Sequence, residues 1–221
     1  MRAIVKYVVG KTYKPLLEKY LSRSRTYNYS GVRLVVPQHV FHPGFFFSTK
    51  FLWKYIAKEN LNEKTFLELG AGSGLISICA AKKGARVTAT DINEIAVNAL
   101  LSNKILNGVD IDIIYSDLFD DIPKKHFDFI AINPPYYKKA PLSIADHAWY
   151  CGENGEYFQK LFNSLACFMN DDSKVLMVLC DGCDLEMINK IANENHFQLH
   201  CVLSKQRLLE KNYIFKIEFT K

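Results

Sequence analysis

From Lys64 onward the chain alternates, almost without interruption, between short apolar runs and segments whose apolar residues recur at helical spacing. "KTFLEL", "RVTATD", "IDIIYSD", "FDFIAIN" and "KVLMVLCD" read as strands, while "GLISICAAKKG", "NEIAVNALLSNKILNG", "GEYFQKLFNSLACFM" and "LEMINKIANEN" read as helices. Strands this apolar must be covered on both faces, and a helix between consecutive strands returns the chain to the same end of the sheet. The pattern predicts an α/β domain with a doubly wound, mostly parallel, seven-stranded sheet. The last two runs, "FQLHCVLS" and "YIFKIEFT", have no helix between them. They are expected to pair antiparallel and to leave a reversed strand near one edge.

Residues 1–45 read as a short basic N-terminal extension made of a helix and a short strand, with the domain proper over residues 46–221. "TYKPLLEKYLSRS" places Leu16, Leu17, Tyr20 and Leu21 at helical spacing, with Pro15 in a first turn, and "GVRLVVP" is a strand closed by Pro37. "STKFLWKYIAKEN" is the next helix, with Ser48 or Thr49 as its N-cap. Residues 1–36 hold eight lysines and arginines against one glutamate, a net +7, whereas the rest carries 20 basic and 22 acidic residues. Five tyrosines interleave with those charges, a composition that suits an RNA- or ribosome-facing surface and equally a solvated amphipathic helix.

No apolar run approaches the roughly 18 to 20 residues a membrane span needs, and "MRAIVKYVVG" is too short and charged for a secretory signal, so a cytoplasmic protein with no membrane partner is expected. The six cysteines lack the spacing of a disulfide framework. Cys180 and Cys183 form a C-x-x-C with no second pair to complete a zinc set, so no metal is expected.

In an open α/β sheet, ligands bind beyond the carboxyl ends of the strands. The first strand ends in "ELGAGSG", Glu68 to Gly74, where Gly70, Gly72 and Gly74 permit a tight turn and close approach of a ligand to the backbone. The spacing is G-x-G-x-G rather than that of a dinucleotide or phosphate loop. The second strand ends in Asp91, where an acid can accept from two ribose hydroxyls or cap the next helix. The third ends in "YSDLFD": Asp117 is placed to accept from an exocyclic amine of adenine, with Leu118 and Phe119 against the ring, or to serve as a turn residue. The fourth ends in "NPPY". Two prolines fix the backbone, so the Asn133 side chain and the Pro134 carbonyl form a rigid pair of acceptors for the two hydrogens of a planar amino group, with Tyr136 against its flat face.

In this order and on successive strand ends, "ELGAGSG", "ATDIN", "SDLFD" and "NPPY" resemble the motifs of the Rossmann-like S-adenosylmethionine-dependent methyltransferases. Within that class the chain looks like the HemK-type protein glutamine methyltransferases, which modify the glutamine of the Gly-Gly-Gln motif in translation release factors. The likeness spans about residues 40 to 221 and includes "VFHP" at Val40 to Pro43 and "HAWYCGENGEYFQKLF" at His147 to Phe162, similar to a Trp-x-x-Gly-x-x-Gly segment of the compact members.

The resemblance implies S-adenosyl-L-methionine as cofactor, with Gly70, Gly72 and Gly74 around its methionine part and Glu68 supporting that loop. It further implies Asp91 on the ribose, Asp117 and Leu118 at the adenine, and Asn133, Pro134 and Tyr136 holding the acceptor nitrogen. The implied reaction is methylation of a glutamine amide in a translation factor, and compact members can use a small activating subunit. Bacterial members usually carry a longer N-terminal helical domain than the roughly 45 residues found here. The alternative is therefore an RNA methyltransferase acting on an exocyclic amine of adenine or guanine, and a third reading is a non-catalytic cofactor- or RNA-binding subunit.

Overall fold

The computed structural model describes residues 23–207 and 210–220. The helix expected over "TYKPLLEKYLSRS" falls almost wholly outside them. Seven strands form one sheet in the order β5-β4-β3-β6-β7-β9-β8, with β3 at Thr65–Leu69, β4 at Arg86–Asp91, β5 at Ile111–Tyr115, β6 at Phe129–Ile132, β7 at Lys174–Cys180, β8 at Phe197–Arg207 and β9 at Glu210–Phe219. β5, β4, β3, β6 and β7 run parallel. β9 is antiparallel to both β7 and β8, which makes it the reversed strand that the helix-free connection predicts.

Every central strand is buried on both faces, and the two faces feed two separate apolar clusters. Phe66, Leu176 and Val178 point to the cluster that also holds Phe51, Leu52, Ile76 and Leu100 from helices α1 (Phe47–Ile56), α2 (Leu75–Lys82) and α3 (Glu94–Asn107). Leu67, Val175, Met177 and Leu179 point to the other, with Phe158, Phe162 and Ile188 from α4 (Glu156–Leu165) and α5 (Leu185–Glu194). Each fully buried large apolar side chain contributes roughly 1.5–3 kcal/mol, so the sheet is clamped from both sides.

Ahead of the sheet, β1 (Arg25–Tyr29) and β2 (Val32–Val36) form an antiparallel hairpin. Sequence reading found β2 but not β1, whose run "RTYNY" is too polar to stand out. The turn between them is Ser30-Gly31, with φ of 48° and 78°, the left-handed pair that a two-residue hairpin requires. Val32, Leu34 and Val36 join the first apolar cluster.

The free edge of β2 is satisfied by side chains. Asn107 accepts from Arg33 N and donates to its carbonyl, and Asn103 does the same for Val35. Residues four apart on a helix rise about 6 Å, close to the roughly 6.6 Å between alternate strand residues, so two asparagines one turn apart match a strand edge.

The N-cap of α1 is Phe46, with no side-chain cap, rather than Ser48 or Thr49. Those two lie inside the first turn, buried, because their hydroxyls face the strand ends described next.

Candidate active site

The carboxyl ends of β3, β4 and β6 open onto a single cavity of about 300 Å³. The turn after β3 is held against β4: Ala71 N donates to the Thr90 carbonyl, and Gly72 N donates to Asp91 Oδ2, both at 2.8 Å. Asp91 Oδ1 accepts from Asn93 N at 2.9 Å, so the same carboxylate anchors the glycine turn and the start of α3.

Gly70 and Gly72 have φ of 68° and 56°, and a Cβ built on Gly70 meets nothing within 4 Å. A side chain there would project into open space at the cavity wall. Gly74 differs. It begins α2 at φ 87°, a Cβ on it would lie 2.1 Å from Leu100 Cδ1, and it does not line the cavity. Its lack of a side chain lets α2 start against Leu100 of α3.

Glu68 is 5% exposed and lines the cavity, accepting at Oε2 from the Ser77 backbone N–H at 2.8 Å and from the Ser77 hydroxyl. Burial pushes its carboxyl up to about 8, against the pull of the Ser77 hydrogen bonds, and the neighbouring Asp91 adds to the rise. Asp91 is likewise raised by burial, and the backbone N–H groups of Asn93, Gly72 and Ile92 oppose the shift. After β5, Asp117 lines the cavity while its Oδ2 pairs with Lys160 of α4 at 2.6 Å. Leu118, at φ 56°, is buried against the same wall.

Beyond β6, Pro134 and Pro135 are buried, and the N–H groups of Tyr136 and Tyr137 both donate to the Trp149 carbonyl, at 3.1 and 2.9 Å. The stretch around Trp149 therefore runs alongside "NPPY". The Tyr136 hydroxyl donates to Asn133 Oδ1 at 2.9 Å, and Asn133 Nδ2 donates to Thr49 Oγ1 at 3.2 Å. Burial raises the Tyr136 hydroxyl well above the usual phenol range, so it remains a donor at neutral pH. Phe41, Phe46 and Trp149 pack with ring centroids 4.6 to 5.4 Å apart and form an aromatic wall.

The structure thus brings Glu68, Gly70, Gly72, Asp91, Asp117, Leu118, Asn133, Pro134 and Tyr136 to one cavity and leaves Gly74 behind it. Sequence reading had not assigned Thr49 or Tyr157 to the site. Tyr157, in the first turn of α4, lines the cavity with its hydroxyl held protonated by burial and by the charges of Asp117 and Asp91. Its signal was present in the glycine-containing stretch before α4. Thr49 had none beyond the helix start.

A family model described as the methyltransferase small domain matches residues 34–148, more than half of the chain. The chain belongs to this family. Relatives include a protein of Methanocaldococcus jannaschii named as a protein N5-glutamine methyltransferase, 47% identical over 78 residues, which are 35% of this chain and 39% of that protein. A release factor glutamine methyltransferase of Fusobacterium nucleatum is 42% identical over 83 residues, 36% of this chain and 23% of the relative. The matches thus span less than two-fifths of either relative. Among solved structures, the E. cuniculi Mtq2–Trm112 complex matches with a TM-score of 0.63 at 21% identity, over 82% of this chain and 99% of that one, and shares its fold.

The methyltransferase cofactor is S-adenosylmethionine, and the cavity suits it. Gly70 leaves its wall open, Asp91 retains acceptor capacity beyond its backbone partners, and Leu118 supplies an apolar surface. Among the described residues no helix is long and apolar enough to cross a membrane.

Proposed function

We propose that this methyltransferase domain transfers a methyl group from S-adenosylmethionine to the side-chain amide nitrogen of a glutamine in a translation protein. The observation that carries this reading is the single cavity that joins the glycine turn and Asp91 to the Asn133–Tyr136 clamp. A cofactor site and an acceptor site for a planar –NH₂ group then share one wall. The names of two of the chain's curated relatives favour a glutamine amide as the acceptor.

The bound cofactor supplies an electrophilic methyl on a sulfonium. Asp91 holds hydroxyls, Asp117 accepts from an amine, and Leu118 covers an apolar face. An amide nitrogen is a poor nucleophile because its lone pair is conjugated. Asn133 Oδ1 and the Pro134 carbonyl would accept its two hydrogens, orient it, and stabilise the positive charge that develops as the N–C bond forms and the S–C bonding pair returns to sulfur, after which the nitrogen loses one of those hydrogens as a proton to solvent. Positioning supplies most of the acceleration, and effective molarities of well-oriented groups reach about 10⁵–10⁸ M.

Asn133→Ala is expected to abolish methyl transfer while cofactor affinity, measured by calorimetry, survives. Loss of both would assign Asn133 to cofactor binding instead. Asp91→Ala is expected to do the reverse and weaken cofactor binding itself. Cell extract incubated with the protein and methyl-labelled cofactor, then treated with protease or nuclease, tests the acceptor. Label that stays with protein through nuclease and leaves as methylamine on acid hydrolysis of the amide supports the reading, and label released by nuclease replaces it with an RNA amine.

A further inference from the structure

The Asn133 side chain is gripped at both ends. Nδ2 donates to Thr49 Oγ1 at 3.2 Å, and Oδ1 accepts from the Tyr136 hydroxyl at 2.9 Å, beside which stands Ser48. Thr49 and Ser48 are only 7% and 4% exposed and belong to the first turn of α1, 84 residues from Asn133 in the case of Thr49. Buried hydroxyls at a helix start ordinarily cap it, yet neither of these does.

A carboxamide presents an acceptor at one end and donors at the other, and its terminal torsion is broad and roughly two-fold. A half-turn of Asn133 would bring Nδ2, a donor, against the N–H of an incoming amide. Thr49 at one end and Tyr136 at the other together fix the plane and position of the carboxamide, and in the arrangement observed Thr49 takes up the donor end and leaves the oxygen end to the site. At the other end, Oδ1 has two lone pairs, of which the Tyr136 hydroxyl uses one and leaves the second for the acceptor.

We propose that Thr49, with Ser48 behind Tyr136, is a positioning residue that holds the plane of the Asn133 amide in place beside the acceptor nitrogen. This rests on the acceptor reading given above and adds a part of the site drawn from a different element of the fold.

The test compares Thr49→Val, which keeps shape and loses the hydroxyl, with Thr49→Ser, which keeps the hydroxyl. Thr49→Ala carries the same expectation as Thr49→Val and serves if that variant does not fold. In ¹⁵N-labelled full-length protein with S-adenosylmethionine present, the Asn133 side-chain NH₂ signal is the pair lost in Asn133→Ala. Its exchange with water is expected to quicken on the order of tenfold or more in Thr49→Val and to stay slow in Thr49→Ser. Unchanged exchange in Thr49→Val overturns the proposal.

Methyl transfer into cell extract is expected to slow on the order of 10- to 100-fold in Thr49→Val and to recover in Thr49→Ser, with calorimetric cofactor affinity unchanged. A Thr49→Val protein as fast as wild type, or one that binds cofactor poorly, also overturns it. If wild-type protein labels no glutamine while the exchange contrast holds, the function proposed above fails and the positioning role stands.

Discussion

Glu68 shows how one residue carries both the fold and the site. In an unfolded chain its carboxyl ionises near a pKa of about 4.3. Folded, it is buried and holds its proton up to about pH 8. The folded state therefore binds more protons than the unfolded state between those two values, and stability falls as pH rises through that window. Glu68→Gln removes the titration while keeping size and hydrogen-bonding capacity. Melting midpoints recorded from about pH 5 to about pH 8 are expected to decline more steeply for wild type than for Glu68→Gln. Parallel profiles would show that Glu68 is not the group that titrates. No local pattern in "FLELG" announces this shift, because it comes from the cluster that closes over the strand.

At the scale of elements, the asparagine pair of α3 explains how the β1–β2 hairpin is held. Asn103 is fully buried and serves three backbone groups: Val35 N–H, the Val35 carbonyl and the Ser73 carbonyl, the last of which belongs to the glycine turn. Asn103→Leu leaves those groups without partners, at a cost of about 1–3 kcal/mol for each one that water cannot reach. The variant is expected to melt earlier and to lose hydrogen-exchange protection at Val35 before the central strands lose theirs. Asn107→Ala, whose contacts to Arg33 are exposed, is expected to cost less than about 1 kcal/mol. Equal losses in the two variants would contradict the difference in burial. The helical pattern of "NEIAVNALLSNKILNG" was plain in the sequence, but nothing in it showed that two of its polar residues would complete a strand edge.

For the whole molecule, the sheet is the frame on which four strand ends meet, and ligand binding is a property of that frame. S-adenosylmethionine at about one hundred times its Kd is expected to stabilise the protein by about 2.7 kcal/mol, or about 5–11 °C in melting midpoint. Asp91→Ala is expected to lose that shift and Asn133→Ala to keep it, and a shift that survives in Asp91→Ala would move the cofactor elsewhere in the cavity. The sequence by itself determined the element order from Lys64 onward, the reversed strand β9, and the strand-end residues that face the cavity. These follow from local periodicity, and the chain direction carries each motif to the same edge of a parallel sheet. Only the tertiary structure decided that Gly74 packs on Leu100, that the polar strand β1 pairs with β2, and that Thr49 and Tyr136 grip Asn133 from either side. The physical reason is that a hydrogen bond across 84 residues leaves no periodic trace in the chain; it exists only once the packing of α1 against the sheet has set where its first turn points.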